Sequence, residues 1–263
     1  MPSVALVTTL HDSSGWCIGP LREHASLLDE LYERRLVVAT RSTGLGVIKA
    51  LRETGWTLVS PRSNVGVEYI TDSRRRVLKA GLDSGSVFMH LVDMDRLLHW
   101  AKHYPEELGK ITKLIPLHEF LIIGRTGRAF LTHPRNQMET EALANKVFSL
   151  IYGLAVDITA ASRGVSRGAA ETILKSSKGS YFDSDSEWPT LLLTAGIEIG
   201  YVEAEGLEWE TRLKRNEMTL PDGRRVDVKE YYESNPESWV YRTMLAHRIA
   251  SVALNTFRGV KKT

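Results

Sequence analysis

Strand-length apolar segments alternate with helix-length amphipathic ones from the start of the chain, and this alternation restricts the fold more than any single motif. Residues 4–8, 36–40, 56–60 and 86–93 read as strands. Between them, 20–33 puts Leu21, Leu27, Leu28 and Leu31 on one helical face, 46–53 is closed by Gly55, and 70–82 is long enough for a helix. Strands joined by helices of this size pair in parallel and build an open, doubly wound sheet. Further on, 97–114 is mostly helical with an interruption at Pro105, 120–123 is a fifth strand, and 139–154 is a long helix. Residues 160–167 form a strand or turn entering a helix over 168–176, 188–195 is helical, and 197–202 is a strand. The tail changes character. A hairpin spans 218–228 and turns at Pro221-Asp222-Gly223, and a helix spans 236–257 with Asn235 as its cap and Pro236 in its first position. The expectation is an α/β domain over 1–205 and a mostly helical extension over 206–263, packed on the domain or used to join two copies as a homodimer.

Composition narrows the functional class. Hydrophobic residues make up 43% and charged residues 25%, which argues against a disordered chain. A net charge of +2 gives no global bias towards nucleic acid. The single cysteine, Cys17, excludes an internal disulfide framework and a cysteine metal cluster. Met1-Pro2-Ser3 leads straight into the first strand without a basic leader. The longest apolar run, near 147–156, is about half a membrane span and contains Ser149 and Gly153. These features predict a soluble, cytoplasmic protein without a transmembrane segment, and leave contact with a membrane surface open.

Chemistry concentrates at the end of the fourth strand, in Phe88-Met89-His90-Leu91-Val92-Asp93-Met94-Asp95. Residues i and i+2 of an extended segment point the same way. Asp93 and Asp95 are therefore expected together at a strand's carboxyl end, where open α/β sheets place their ligands. Two carboxylates there suit Mg²⁺ or Mn²⁺ bridging the protein to a diphosphate.

Other motifs fall around this pair in a definite order. Arg62-Ser63-Asn64-Val65-Gly66 follows the third strand and precedes a helix carrying Arg74-Arg75-Arg76. Ile122-Ile123-Gly124-Arg125 ends the fifth strand. Asp157 and Arg163 follow the long helix, and Asp183-Ser184-Asp185-Ser186-Glu187 precedes Ala195-Gly196-Ile197-Glu198-Ile199-Gly200. This order, over roughly residues 4–205, resembles the inverting family 2 glycosyltransferases of the GT-A fold, and within them the polyprenyl- (dolichyl-) phosphate sugar synthase branch.

The resemblance implies a nucleoside-diphosphate sugar (UDP- or GDP-linked) as donor and transfer with inversion to an acceptor that the motifs do not identify. Asp93 and Asp95 would hold the metal. Thr8, Thr9 and Arg41, at the ends of the first two strands, would face the base and ribose, with Asn64 and Gly66 shaping the loop opposite; Asp12 is a further candidate. Successive helical residues point about 100° apart, so at most one or two of Arg74, Arg75 and Arg76 can face a phosphate. Arg75 is taken into the site, although the spacing does not decide among the three. Arg125, with Arg128, would lie near the diphosphate or acceptor. Asp185 or Glu187 would act as base if the acceptor is an alcohol; a phosphate acceptor is already ionised and needs none. His118 and His133 are candidate third metal ligands.

Two departures weigh against a lipid-phosphate acceptor. Leu207-Glu208-Trp209-Glu210-Thr211-Arg212 stands where that branch carries Arg-x-x-Gly-x-Ser, and the C-terminal membrane segment of some members is absent. Three other classes fit parts of the pattern. A sugar-phosphate nucleotidyltransferase shares the architecture, but the loop Leu10 to Gly19 lacks its signature. A haloacid-dehalogenase phosphatase uses Asp-x-Asp on an earlier strand. A non-catalytic nucleotide-sugar-binding homologue would differ only in turnover.

Overall fold

The computed structural model describes residues 3–209, 217–220 and 222–260. Its elements run β1 (Val4–Leu10), α1 (Ile18–Glu23), α2 (Ala25–Leu31), β2 (Arg34–Ala39), α3 (Leu45–Glu53), β3 (Trp56–Leu58), α4 (Ile70–Asp83) and β4 (Phe88–Val92). Then come α5 (Met94–His103), α6 (Pro105–Leu114), β5 (Phe120–Arg125), α7 (Gly127–Leu131), α8 (Arg135–Tyr152), β6 (Ser162–Ser166) and α9 (Arg167–Ser176). The chain continues through α10 (Ser184–Thr194), β7 (Ile199–Ala204), the short pair β8 (Glu217–Thr219) and β9 (Arg225–Asp227), α11 (Val228–Ser234) and α12 (Pro236–Val260).

Seven strands form one sheet in the order β3-β2-β1-β4-β6-β5-β7. It is parallel except for β6, which runs antiparallel to both neighbours, with His90 opposite Gly164 and Ile122 opposite Arg163. The period-2 pattern of each strand divides the core between the two faces. Leu6, Val37, Val92, Leu121 and Ile123 face α1–α3, α5 and α6, where Leu21, Leu28, Leu51, Trp100 and Leu108 are buried. Ala5, Val7, Val38, Met89, Leu91 and Ile122 face the other way, against Val77 of α4, Phe148 of α8, Ile173 of α9 and Trp188 of α10. The tail returns to this second face. Leu245, Ala246, Ile249 and Ala253 of α12 are buried, and α12 packs on α8 and α10. Val240, Tyr241 and Met244 remain exposed on its outer side.

Several segments depart from the sequence expectation for local reasons. The first helix divides at His24, whose backbone (φ −103°, ψ 8°) leaves the helical region. Helix α10 starts at Ser184, so the acidic stretch lies inside its first turn and the whole of 184–190 is buried. Strands β8 and β9 pair antiparallel as a hairpin, Met218 opposite Val226. Pro221 of the expected turn and Glu210-Thr211-Arg212 lie outside the described residues. Among the described residues no helix is long and apolar enough to cross a membrane.

One polar group sits in the middle of the sheet. His90 is fully buried on β4, with Nδ1 2.8 Å from the Tyr32 hydroxyl and Nε2 3.1 Å from Ser162 Oγ. Burial holds its pKa down, from 6.5 to about 3. The native ring therefore refuses a proton that the unfolded ring accepts, and its contribution to stability is present above pH 6.5 and lost as pH falls towards 3. Replacing His90→Leu strands the Ser162 hydroxyl and should cost roughly 1–3 kcal/mol in urea unfolding at neutral pH. The same variant should lose about 1.4 kcal/mol per pH unit of the wild-type acid slope within that window. Parallel slopes for the two proteins would contradict a buried neutral His90.

Candidate functional site

In this sheet the chain runs from β1 outward to β2 and β3, then crosses back to β4 on the other side of β1. Loops leaving the carboxyl ends of β1 and β4 therefore diverge and open a crevice, the usual ligand position in such sheets. A cavity of about 430 Å³ occupies it, lined among others by Thr9, Trp16, Asn64, Gly66, Tyr69 and Asp93. A second cavity, about 300 Å³, lies beside it and shares Asp93 and Asp95. Its remaining wall includes Arg96, His133, Gln137, Asp185, Trp209 and Arg242.

The two aspartates meet at this junction, but not as an extended i, i+2 pair. Strand β4 ends at Val92, Asp93 is the N-cap of α5, and Asp95 lies in the first helical turn. The helix begins as soon as the strand ends, so helical geometry, not the period of two, sets their relation. Asp93 accepts from Thr9 Oγ1 at 3.0 Å through one oxygen and from Arg74 Nη2 at 3.1 Å through the other. Asp95 accepts from the Arg96 backbone N–H at 2.9 Å. Both sit at the N-terminal end of α5, where the helix dipole places partial positive charge. Among the described residues no group of three or more His, Cys, Asp or Glu converges as a metal site. The donor chemistry of Asp93 and Asp95 thus fits a hard cation that takes its other ligands from a diphosphate and water, and does not fit one held by the protein alone.

Arg74, not Arg75, reaches the site. Its guanidinium is 2% exposed and donates to Asp93, to Asp185 Oδ1 at 2.8 Å and to Ser184 Oγ at 2.9 Å. One helical step away, Arg75 faces the loop after α9 and donates to Ser177 Oγ and the Gly179 carbonyl. The acidic stretch divides in the same way. Asp185 is buried in the wall of the second cavity, and burial pushes its pKa up to about 6 against the pull of Arg74 and Arg163. Glu187 points away from both cavities: its carboxylate accepts from Ser177 Oγ and from the backbone of Lys178 and Gly179. Its part is to fasten that loop, which removes it as a candidate base.

Thr8 is buried and donates to the Val92 carbonyl at 2.6 Å, tying β1 to the end of β4, while Thr9, Asn64 and Gly66 line the first cavity. Arg41 is exposed on the loop after β2 and lines neither cavity. Asp12 accepts from the backbone of Ser14, Gly15 and Cys17 and so shapes the β1 loop. Arg125 is buried at the rear of the second cavity, where it donates to Asp157 at 2.7 and 2.9 Å and pairs with Glu141 at 2.8 Å. Gly124 makes room for this arrangement: a Cβ there would meet the Tyr201 hydroxyl and the Asp157 Cβ. Arg128 pairs outside with Glu205 and Glu208, and Arg163 donates to the carbonyls of Ser162 and Ile158. His118 lies against Gly200, whereas His133 lines the second cavity.

Gln137 and Arg242 carry no sequence signal that would place them in the site; the packing of α8 and α12 does so. Trp209 lies in the stretch that departs from the Arg-x-x-Gly-x-Ser pattern, with nothing there to mark it as a cavity residue. No protein-family model and no curated protein matches this sequence, so the site is read from its geometry.

The rear of the second cavity is also a stability element. Burial raises the pKa of Asp157, yet the Arg125 charge and its hydrogen bonds hold it well below the usual carboxylate range. This stabilisation is complete above the ordinary value of 3.8 and is lost as pH falls below it. Asp157→Ala leaves a buried guanidinium short of its main partner and should cost roughly 3–5 kcal/mol by denaturant unfolding at pH 7. A loss below about 1 kcal/mol would place the pair among weak surface bridges.

Proposed function

We propose that this chain is a GT-A-type glycosyltransferase that moves a sugar from a nucleoside-diphosphate sugar to an acceptor, with inversion. One observation carries the reading. Two cavities meet at Asp93 and Asp95: one at the carboxyl ends of β1, β2 and β4, the other containing a buried carboxylate, Asp185. A donor and an acceptor bound in neighbouring cavities face each other across that junction. The open, mainly parallel sheet with helices on both faces is what the family resemblance implies for the fold.

The first cavity takes the nucleoside, with Trp16 and Tyr69 as aromatic walls and Asn64 and Gly66 at the loop. Asp93 and Asp95 are the residues that would hold Mg²⁺ or Mn²⁺, which would supply positive charge to the leaving diphosphate. Thr9 and Arg74 fix the Asp93 carboxylate in place. In the second cavity the acceptor oxygen bonds to the anomeric carbon as the bond from that carbon to the diphosphate oxygen breaks. The nucleoside diphosphate leaves with the electron pair, and the acceptor proton passes to Asp185. With its pKa raised to about 6, Asp185 is ionised at neutral pH and still basic enough to take that proton.

A thermal-shift panel of UDP, GDP and their sugar conjugates with Mn²⁺ or Mg²⁺ tests the donor site. One nucleoside diphosphate should stabilise the chain only when the cation is present. Asp95→Asn should weaken that binding by about tenfold or more while leaving the unliganded melting curve close to wild type. Asp93→Asn should weaken it as much and also lower the melting temperature, because the buried Arg74 loses a charged partner. No shift with any nucleotide would remove the reading. For turnover, kcat/KM should fall as pH drops through about 6, where Asp185 gains a proton. Asp185→Asn should lower kcat by roughly 10²–10⁴-fold with nucleotide affinity retained. Nucleotide binding with no release of nucleoside diphosphate in any acceptor extract would favour the non-catalytic homologue.

A further inference from the structure

Three polar groups of the second cavity point to the chemistry of its occupant. His133 is fully buried in the wall, with Nδ1 3.1 Å from the Ala129 carbonyl. A carbonyl only accepts, so Nδ1 carries the proton and Nε2 is a bare lone pair. Burial drives the ring's pKa well below its ordinary value, so it stays neutral. That Nε2 has no hydrogen-bond partner among the described residues, and the same holds for Oε1 of Gln137, which is 6% exposed, and for Nε1 of Trp209. The His133 and Trp209 rings lie edge to face, 5.6 Å apart, which keeps these groups close together.

A buried polar atom left unsatisfied keeps its desolvation cost uncompensated, so a ligand that satisfies these atoms gains by pairing them. The three groups need two kinds of partner. His133 Nε2 and Gln137 Oε1 accept, while Trp209 Nε1 donates. A hydroxyl does both. An ionised phosphate only accepts, and an ammonium only donates.

The charges lining the cavity agree with this. Asp93, Asp95, Glu141 and Asp185 supply four carboxylates. Of the arginines, Arg125 is held by Asp157 and Glu141, and Arg242 lies 3.8 Å from Glu141. Arg96 donates to the Glu208 carbonyl and covers the Trp209 ring. A phosphate entering here would meet lone pairs and carboxylates before any uncommitted guanidinium among the described residues.

We infer that the second cavity binds a neutral, hydroxyl-rich group, a sugar or polyol, and not a phosphate. Calling this group the acceptor rests on the transferase reading; the preference for hydroxyls does not. An alcohol acceptor also requires a base, and Asp185 lines the same cavity.

Calorimetric titration of the full chain with the methyl α-glycosides of glucose, mannose and galactose, and separately with methyl phosphate, tests the inference. Each titration is run with and without Mn²⁺ and UDP or GDP. At least one glycoside should bind, and Gln137→Met should weaken it by about tenfold, the loss of roughly one hydrogen bond. His133→Gln should act in the same direction, and circular dichroism establishes that each variant is folded. Binding of methyl phosphate in preference, no bound glycoside, or glycoside affinity unchanged in Gln137→Met would overturn the inference. Glycoside binding without nucleotide binding would remove the transferase reading and keep the hydroxyl site. Nucleotide binding without glycoside binding would do the reverse.

Discussion

A guanidinium sealed inside the molecule between two carboxylates organises everything around it. Arg74 stands on α4, Asp93 caps α5 at the end of β4, and Asp185 lies in the first turn of α10. Removing a charge of this kind from water is expensive, and only well-placed partners offset it. The three groups therefore act as a constraint more than as a source of stability. If α4 or α10 shifted, a buried charge would lose its partner. The same contact sets the two cavities beside each other, since Asp93 belongs to both and Asp185 to the second.

A second buried guanidinium repeats the device further back. Arg125 ends β5 and takes Asp157 from the loop before β6 and Glu141 from α8. Between the two sits Arg163, whose own bonds run to backbone carbonyls and whose pKa burial pulls down to about 10. Each carboxylate in this part of the molecule is set by its neighbours. Asp157 is held low by a dedicated partner, while burial pushes Asp185 up against the pull of Arg74, which it shares with Asp93. Two buried aspartates thus have their pKa values moved in opposite directions by their surroundings.

The strand–helix alternation of the N-terminal half was readable because hydrophobic period and turn residues agree there. The antiparallel course of β6 was not, since Ser162-Arg163-Gly164-Val165-Ser166 has little apolar character and pairs through its backbone. The site was legible to the level of neighbourhoods. Asp93 and Asp95 were found by their strand-end position, yet their mutual geometry depended on where α5 starts, a boundary no pattern resolves to one residue. Among three consecutive arginines only the helix phase relative to the sheet selects Arg74. Glu187 and Asp185 look alike in sequence, and two helical steps separate a cavity wall from a loop fastening. Gln137 and Arg242 converge because α8 and α12 pack together, and His133 joins them from the turn between α7 and α8.

Electrostatics at the junction constrains what can occupy it. Asp93 and Asp95 face the first cavity with two negative charges, and a diphosphate brings more. The α5 N-terminus offsets only a fraction of one charge. Arg74 is already divided between Asp93 and Asp185. If the proposed donor binds here, its diphosphate would need a divalent cation beside Asp93 and Asp95, and the cation would take part of its coordination from that diphosphate. Each would then complete the other's site, and the two affinities would rise together by the same factor, as linkage requires. The second cavity differs. Its unpartnered groups among the described residues are the lone pairs of His133 and Gln137 and the indole N–H of Trp209, so on the proposed reading a neutral acceptor would enter without cation or anion. On the same reading, the order of binding would depend on whether the donor's sugar blocks the junction at Asp93 and Asp95, which both cavities share.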